Sequence, residues 1–227
     1  MEAMSIPIPM HCSSLFSTPL WSCRYDVAAD LKAWSKHILD LQALDRSGLR
    51  ITNQGGWHSQ TNLLMDPQLS QMLLWIASCS QQALQDFGWN MDKASPCFNN
   101  AWAMVNREGH SVRAHLHPNS LFSGVFYLAA PEGSGAIAFL DPRAGAQVLL
   151  PPLRDPTSGY PCGRILRHPS PGLLLLFPGW LWHEVEAGSN REARICVGFN
   201  IGIKASRGDS VQHPRSEGRT TEKTPCP

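Results

Sequence analysis

The sequence predicts a mainly β domain, an antiparallel barrel or jelly roll, preceded by two helices. Three observations predict it. From Pro96 onward the chain breaks into short strand-like runs separated by Gly, Pro, Asn and Asp. Before that point, apolar residues recur at three- and four-residue steps in two stretches. A chain of 227 residues, 43% hydrophobic and 16% charged, also suits one sizeable core.

Residues 1–25, rich in Pro, Ser and aromatics, are expected to be irregular. In the first helix, placed at 26–47, Leu31, Trp34, Ile38, Leu41 and Leu44 make one apolar face, with Asp26 as N-cap and Gly48 as the stop. The second, at 67–87, buries Leu69, Met72, Leu73, Ile76, Leu84 and Phe87, capped by Asp66 and ended by Gly88. The barrel fills 96–203. Strands are expected near 99–106, 111–115, 123–129, 136–140, 147–150, 164–167, 173–177, 183–186 and 193–201. The domain therefore spans 26–203, and the polar tail 204–227 is expected to be disordered.

A net charge of +1 gives no electrostatic footprint for nucleic acid or an anionic membrane. The longest apolar run, Leu173–Pro178, is far short of the roughly 20 residues of a membrane span. The first ten residues hold Glu2 and no Lys or Arg, unlike a secretory leader. Seven cysteines, an odd number with no CxxC pair, fit reduced thiols and a cytoplasmic location. The two amphipathic helices offer a surface on which a homodimer could form.

The chemistry is concentrated in Val112-Arg-Ala-His-Leu-His-Pro-Asn119 and, 66 residues after His117, in Trp182-His183-Glu-Val. His115 and His117, at i and i+2 on an extended segment, project to one side. With His183 they suit an open metal site. A structural zinc site would bring cysteine pairs, which are absent here. The facial triad of non-haem Fe(II) oxygenases has a carboxylate two residues after its first histidine; this chain has His117 there. The third ligand is then His117, or Asp141 reaching in from a neighbouring strand, with His117 preferred; or His117 points at the site without binding. Arg194 lies on a strand of largely apolar residues, a charge costly to bury unless a bidentate anion meets it. A dicarboxylate fits, chelating the metal at one end and pairing with Arg194 at the other, with Tyr127 donating its hydroxyl. The competing role for Arg194 is an ion pair with Glu186 or Glu192. Asn200 is placed to bond across the barrel or to reach the cosubstrate. His58, in the Gly-rich loop Gly55-Gly-Trp-His-Ser-Gln60, and Arg113 are candidate substrate contacts. Asn106 and Arg113 flank the metal strand and are candidates to orient ligands.

Seven segments together resemble the Fe(II)/2-oxoglutarate-dependent dioxygenases, most of all a poorly characterised microbial and phage group. They are Gly55-Gly-Trp-His-Ser-Gln60, His115-Leu-His-Pro-Asn-Ser120, Ser123-Gly-Val-Phe-Tyr-Leu128, Asp141-Pro-Arg143, Phe177-Pro178, His183-Glu-Val185 and Arg194-Ile-Cys-Val-Gly-Phe-Asn200. The resemblance runs from about Leu15 to Ile201. It implies a double-stranded β-helix, a jelly-roll or cupin-like barrel, with Fe(II) at His115 and His183. It also implies 2-oxoglutarate held by Arg194 with help from Tyr127, where prolyl-hydroxylase-like members carry a tyrosine. The implied reaction takes O2 and an unidentified small-molecule or peptidyl substrate and yields a hydroxylated product, succinate and CO2. Two departures matter. His117 replaces the usual Asp and leaves the iron charge less neutralised. Cys196 replaces a common Ser and weakens one hydrogen bond to the cosubstrate. The rivals are a three-histidine cupin-type dioxygenase without 2-oxoglutarate and a non-catalytic binding barrel.

Overall fold

Alternation along one strand organises the molecule. In β11 (Arg194–Ala205), Ile195, Val197, Phe199 and Ile201 point to one side, and Cys196, Gly198 and Asn200 to the other. This computed structural model describes residues 15–90, 92, 94–143, 145, 154 and 163–205. β11 pairs antiparallel with β4 (Ala94–Asn106) and β6 (Phe122–Ala129). With β1 (Trp21–Arg24), β3 (Trp57–His58) and β9 (Leu173–Pro178) they form a six-stranded sheet in the order β1-β9-β6-β11-β4-β3. A five-stranded sheet faces it. Its order is β2 (Asn53–Gln54), β5 (Ser111–His115), β10 (His183–Val185), β7 (Ile137–Leu140) and β8 (Arg164–Arg167). Two facing antiparallel sheets give the double-stranded β-helix that the sequence predicts.

Both faces of the larger sheet are covered. On the outer face, Phe122, Phe126, Val197 and Phe199 pack against Trp34 and Ile38 of α1 (Ala28–Leu44) and Met72, Ile76 and Leu84 of α2 (Ser70–Asp86). On the inner face, Tyr127, Leu175, Phe177 and Cys196 meet Ile137, Phe139 and Leu181. A strand buried on both sides loses polar alternation, so Leu173–Phe177 reads as an unbroken apolar run. The smaller sheet ends at β8, an exposed edge bearing Arg164 and Arg167, charges that discourage further strand pairing. No helix among the described residues is long and apolar enough to cross a membrane.

Three expectations are corrected. Residues 21–24 are not irregular; they form β1, with Trp21 opposite Leu176 and Arg24 opposite Leu173. Trp21 anchors it edge-on against Phe122, with ring centroids 5.2 Å apart. Asp26 does not cap α1. The helix starts later, with Val27 as its uncapped N-cap and the Asp30 and Leu31 amides donating to the Val27 carbonyl. Asp30 instead accepts the Tyr25 hydroxyl, whose ring packs among Trp34, Trp75 and Phe126. Nor does α1 run to residue 47: it ends at Leu44, with Asp45 as C-cap. The Asp45 carboxylate accepts the Gly48 amide, and Gly48 at φ +55° turns the chain against Trp57. Asp66 does serve as a cap, accepting the Gln68 amide at 2.9 Å in a short 3-10 turn, Pro67–Leu69, that leads into α2. The expected strand near 147–150 and the tail after 205 lie outside the described residues.

Candidate metal centre

Strand pairing assembles the three histidines. His115 ends β5, His183 begins β10, and the two are register partners in the smaller sheet. His117 follows β5, its amide donating to the Gly179 carbonyl at 2.8 Å, which holds it beside the turn before His183. The ligand atoms of His115, His117 and His183 all lie within 4.8 Å of one another. The Nε2 atoms of His117 and His183 are 3.3 Å apart. His115 Nδ1 faces the Arg113 carbonyl at 2.8 Å and His183 Nδ1 the Leu181 carbonyl at 2.9 Å. A carbonyl only accepts, so both Nδ1 atoms carry the proton and both Nε2 atoms turn lone pairs inward. That donor set, oriented from behind by backbone, fits a divalent cation.

Electrostatics favour the ligand form. Burial first, and the neighbouring imidazoles next, lower His183 to about 3 and His117 to about 4. Burial also lowers His115. All three are therefore neutral at pH 7, as a metal requires. Between pH 6.5 and these depressed values, the unfolded chain binds protons that the folded chain refuses. Stability is thus full above about pH 6.5 and is lost as pH falls. From pH 7 to pH 5 the chelator-treated protein should lose about 2 kcal/mol for each of His117 and His183, at roughly 1.4 kcal/mol per pH unit. Urea unfolding at the two pH values reads it; equal midpoints would refute the burial of neutral imidazoles.

Asp141 stands apart. Its carboxylate accepts the Arg143 amide, Nε and Nη2 at 2.9, 3.0 and 2.7 Å, and Arg143 accordingly holds it below its ordinary range. It is not a member of the histidine group. His117→Ala should weaken metal binding by about 100-fold or more, and Asp141→Ala by no more than about 3-fold. Competition against a fluorescent chelator separates them, and a reversed order would make Asp141 the ligand.

A cavity of about 240 Å3 opens from the histidines between the sheets. Arg194 closes one end, only 2% exposed. One guanidinium nitrogen donates to the Gly135 carbonyl at 3.0 Å, while its Nε has no partner. The expected rival partner Glu186 is paired with Arg164 instead, at 2.9 Å, and among the described residues Arg194 makes no ion pair. Tyr127 and Cys196, register partners on β6 and β11, line the same end. Burial pushes both upward in pKa, against the pull of the Arg194 charge, so both stay protonated and able to donate.

At the other end Asn200 donates from Nδ2 to Asn100 Oδ1 at 3.0 Å, while its buried Oδ1 has no partner. Six residues of strand separate Arg194 from Asn200, about 20 Å at the usual rise. Asn200 therefore stands at the opposite end of the cavity, and its bond is to its register partner on the neighbouring strand β4 rather than across the barrel. His58 lines the cavity, 5% exposed, and lies parallel to Trp102 with centroids 5.8 Å apart. Trp102 in turn lies 5.7 Å from His117. Sequence reading missed Trp102 and Asn100. The signal was there in Asn100-Ala-Trp-Ala-Met104, where large or polar side chains alternate with alanines. Trp102 lies flat on β11 because Gly198 has no Cβ, which would sit 2.5 Å from its ring. Arg113 is exposed, reaches the Ile51 carbonyl at 3.3 Å, and does not line the cavity, nor does the buried Asn106. A register shift where β5 pairs with β10, with Val112 opposite Val185 and His115 opposite His183, breaks the alternation, so Val112 and His115 both line the cavity and Arg113 stays outside.

Residues 100–200 match the model of a family described as "Putative 2OG-Fe(II) oxygenase". No curated protein matches. Among solved structures, a Pseudomonas putida prolyl-4-hydroxylase aligns over 82% of this chain and 94% of its own, at 16% identity and a TM-score of 0.58. HygX from Streptomyces hygroscopicus, solved with nickel and 2-oxoglutarate bound, aligns over 82% and 83% at 12% identity and a TM-score of 0.57. At such identities the likeness is one of fold. The match to the family model covers β5 to β10, part of β4, the first seven residues of β11 and every histidine of the centre, so over residues 100–200 this chain is similar to the 2OG-Fe(II) oxygenase family.

Proposed function

We propose that this chain is a dioxygenase that hydroxylates a substrate while converting 2-oxoglutarate and O2 to succinate and CO2. The observation that carries the reading is the buried guanidinium of Arg194, without a carboxylate partner among the described residues, at the end of the cavity that the three histidines line. His115, His117 and His183 would hold Fe(II), and Arg194 with Tyr127 would hold the far carboxylate of 2-oxoglutarate. Iron, when bound, supplies the redox chemistry of oxidative decarboxylation and of oxygen insertion. The chain supplies position and a cavity walled by Val125, Ile137 and Phe177, where charge is poorly screened.

Arg194 is the sole charged residue among those described around the cavity. One anion is therefore matched at its end, and an uncharged substrate group suits the other. There Asn200 Oδ1 is free to accept an N–H or O–H. His58 Nδ1 donates to the Ser59 carbonyl at 2.7 Å, which leaves its Nε2 to face the ligand as an acceptor.

One observation favours a second reading, a three-histidine dioxygenase that uses no 2-oxoglutarate: among the described residues the centre contains no carboxylate. Anaerobic titration separates the two. Fe(II) followed by 2-oxoglutarate should give the weak visible charge-transfer band of the chelate. Iron binding without a band selects the second reading, and absence of iron binding leaves a non-catalytic barrel.

A further inference from the structure

A smaller cavity of about 150 Å3 lies on the helix side of the six-stranded sheet, away from the histidines. Its walls come from β1, β9 and α2, and two of them are sulfur. Cys23 donates from its thiol to Cys79 Sγ at 3.3 Å, although 56 residues separate them in sequence. Both are half-buried and both line the cavity. Their backbones are fixed independently, Cys23 by pairing with Leu174 and Cys79 in the middle of α2. Two thiols held in contact by separate elements need a further approach of only about 1.2 Å between sulfurs to reach the roughly 2.05 Å of a disulfide.

We propose that Cys23 and Cys79 form a peroxide-oxidisable dithiol whose disulfide staples the edge strand β1 to α2. The step balances with hydrogen peroxide as oxidant. Cys79 sulfur attacks one peroxide oxygen, the O–O bond breaks, and hydroxide leaves to be protonated to water, giving a sulfenic acid. Cys23 sulfur then attacks the sulfenic sulfur, the S–O bond breaks, and the second water departs with the Cys23 proton. Two thiols lose two electrons and peroxide becomes two waters. The roles follow the existing hydrogen bond: as acceptor from Cys23, Cys79 is held below an ordinary thiol and is the better nucleophile of the two. Cys196, by contrast, is buried and pushed upward by that burial, which makes it inert. The bond would enclose α1 and the strand that carries His58 in one covalent loop.

The test uses the full chain with a chelator present, reduced, treated with hydrogen peroxide, alkylated and mapped by peptide mass. The expected result is a Cys23–Cys79 linked peptide lighter by two hydrogens and reversible by dithiothreitol. The unfolding midpoint should rise by roughly 5–15 °C, as for closure of a long loop in a domain of this size. Cys23→Ser should abolish both effects and leave Cys79 as sulfenic or sulfinic acid. The proposal is overturned if both thiols of the wild-type chain stay alkylatable. It is equally overturned if the link forms to another cysteine, or if it forms without raising the midpoint. The wild-type measurement decides by itself, so it does not depend on the variant folding.

Discussion

Arg194→Met is expected to weaken 2-oxoglutarate binding by about 30- to 1000-fold, the usual loss when one partner of a buried charge pair is removed, while folding stability stays level or rises. The two effects separate for one physical reason. In the ligand-free chain the guanidinium is buried with an unpartnered Nε and no anion, and such a charge contributes desolvation cost without Coulombic return. Methionine fills similar volume without that cost, although the Gly135 carbonyl loses its donor. Calorimetric titration of 2-oxoglutarate into metal-loaded protein reads the first effect, and thermal unfolding of the metal-free protein reads the second. Unchanged affinity would remove Arg194 from the anion site. A stability loss as large as the affinity loss would make it a structural residue instead.

His183→Ala should lower metal affinity by at least about 100-fold. Outer partners of a ligating histidine already account for 10- to 100-fold, so loss of the imidazole itself sets a higher floor. The same variant should resist acid better than the parent in the metal-free state. It deletes the base lowered to about 3, and with it part of the proton uptake that favours the unfolded chain below pH 6.5. Packing opposes the gain: the ring sits 4.7 Å from Phe177 and 6.2 Å from Phe139, and its removal leaves a void that costs stability at every pH. The expected signature is a lower midpoint at pH 7 with a shallower decline toward pH 5. Stoichiometric metal retained by the variant would exclude His183 from the centre, whatever the midpoints show.

The metal end was legible in the sequence because its information is local. His115 and His117 share a face through the two-residue period of a strand, and Arg194 announces itself as a charge in an apolar run. Tyr127 follows from the prolyl-hydroxylase-like resemblance and not from spacing. What was not legible depends on contacts between distant segments. β1 is four residues long within a Pro- and Ser-rich stretch, and only its partner β9 makes it a strand. Asp26 looked like a cap, but the Tyr25 cluster and a later helix start decide that turn. Arg113 was chosen for flanking the metal strand, and Asn200, which does line the cavity, for reach across the barrel or to the cosubstrate. For Arg113 the register shift between β5 and β10 breaks the alternation that would have turned it inward, and for Asn200 the strand's length places it far from Arg194. The Cys23–Cys79 contact joins elements 56 residues apart, which no spacing rule anticipates.

Parity along β11 also constrains how this chain can diverge. Arg194, Cys196, Gly198 and Asn200 look into the barrel only while every intervening residue is kept, and β11 is paired on both sides by β4 and β6. A single-residue insertion between 194 and 200 would turn Phe199 and Val197 into the cavity and the cavity groups against the helices. Insertions and deletions are thus barred from the strand that spans both ends of the site. New substrate preference must then arise by replacing side chains at fixed positions, such as 100, 102, 198 and 200, or in the loops at the barrel mouth. The distance between Arg194 and Asn200 is, in effect, an inherited length.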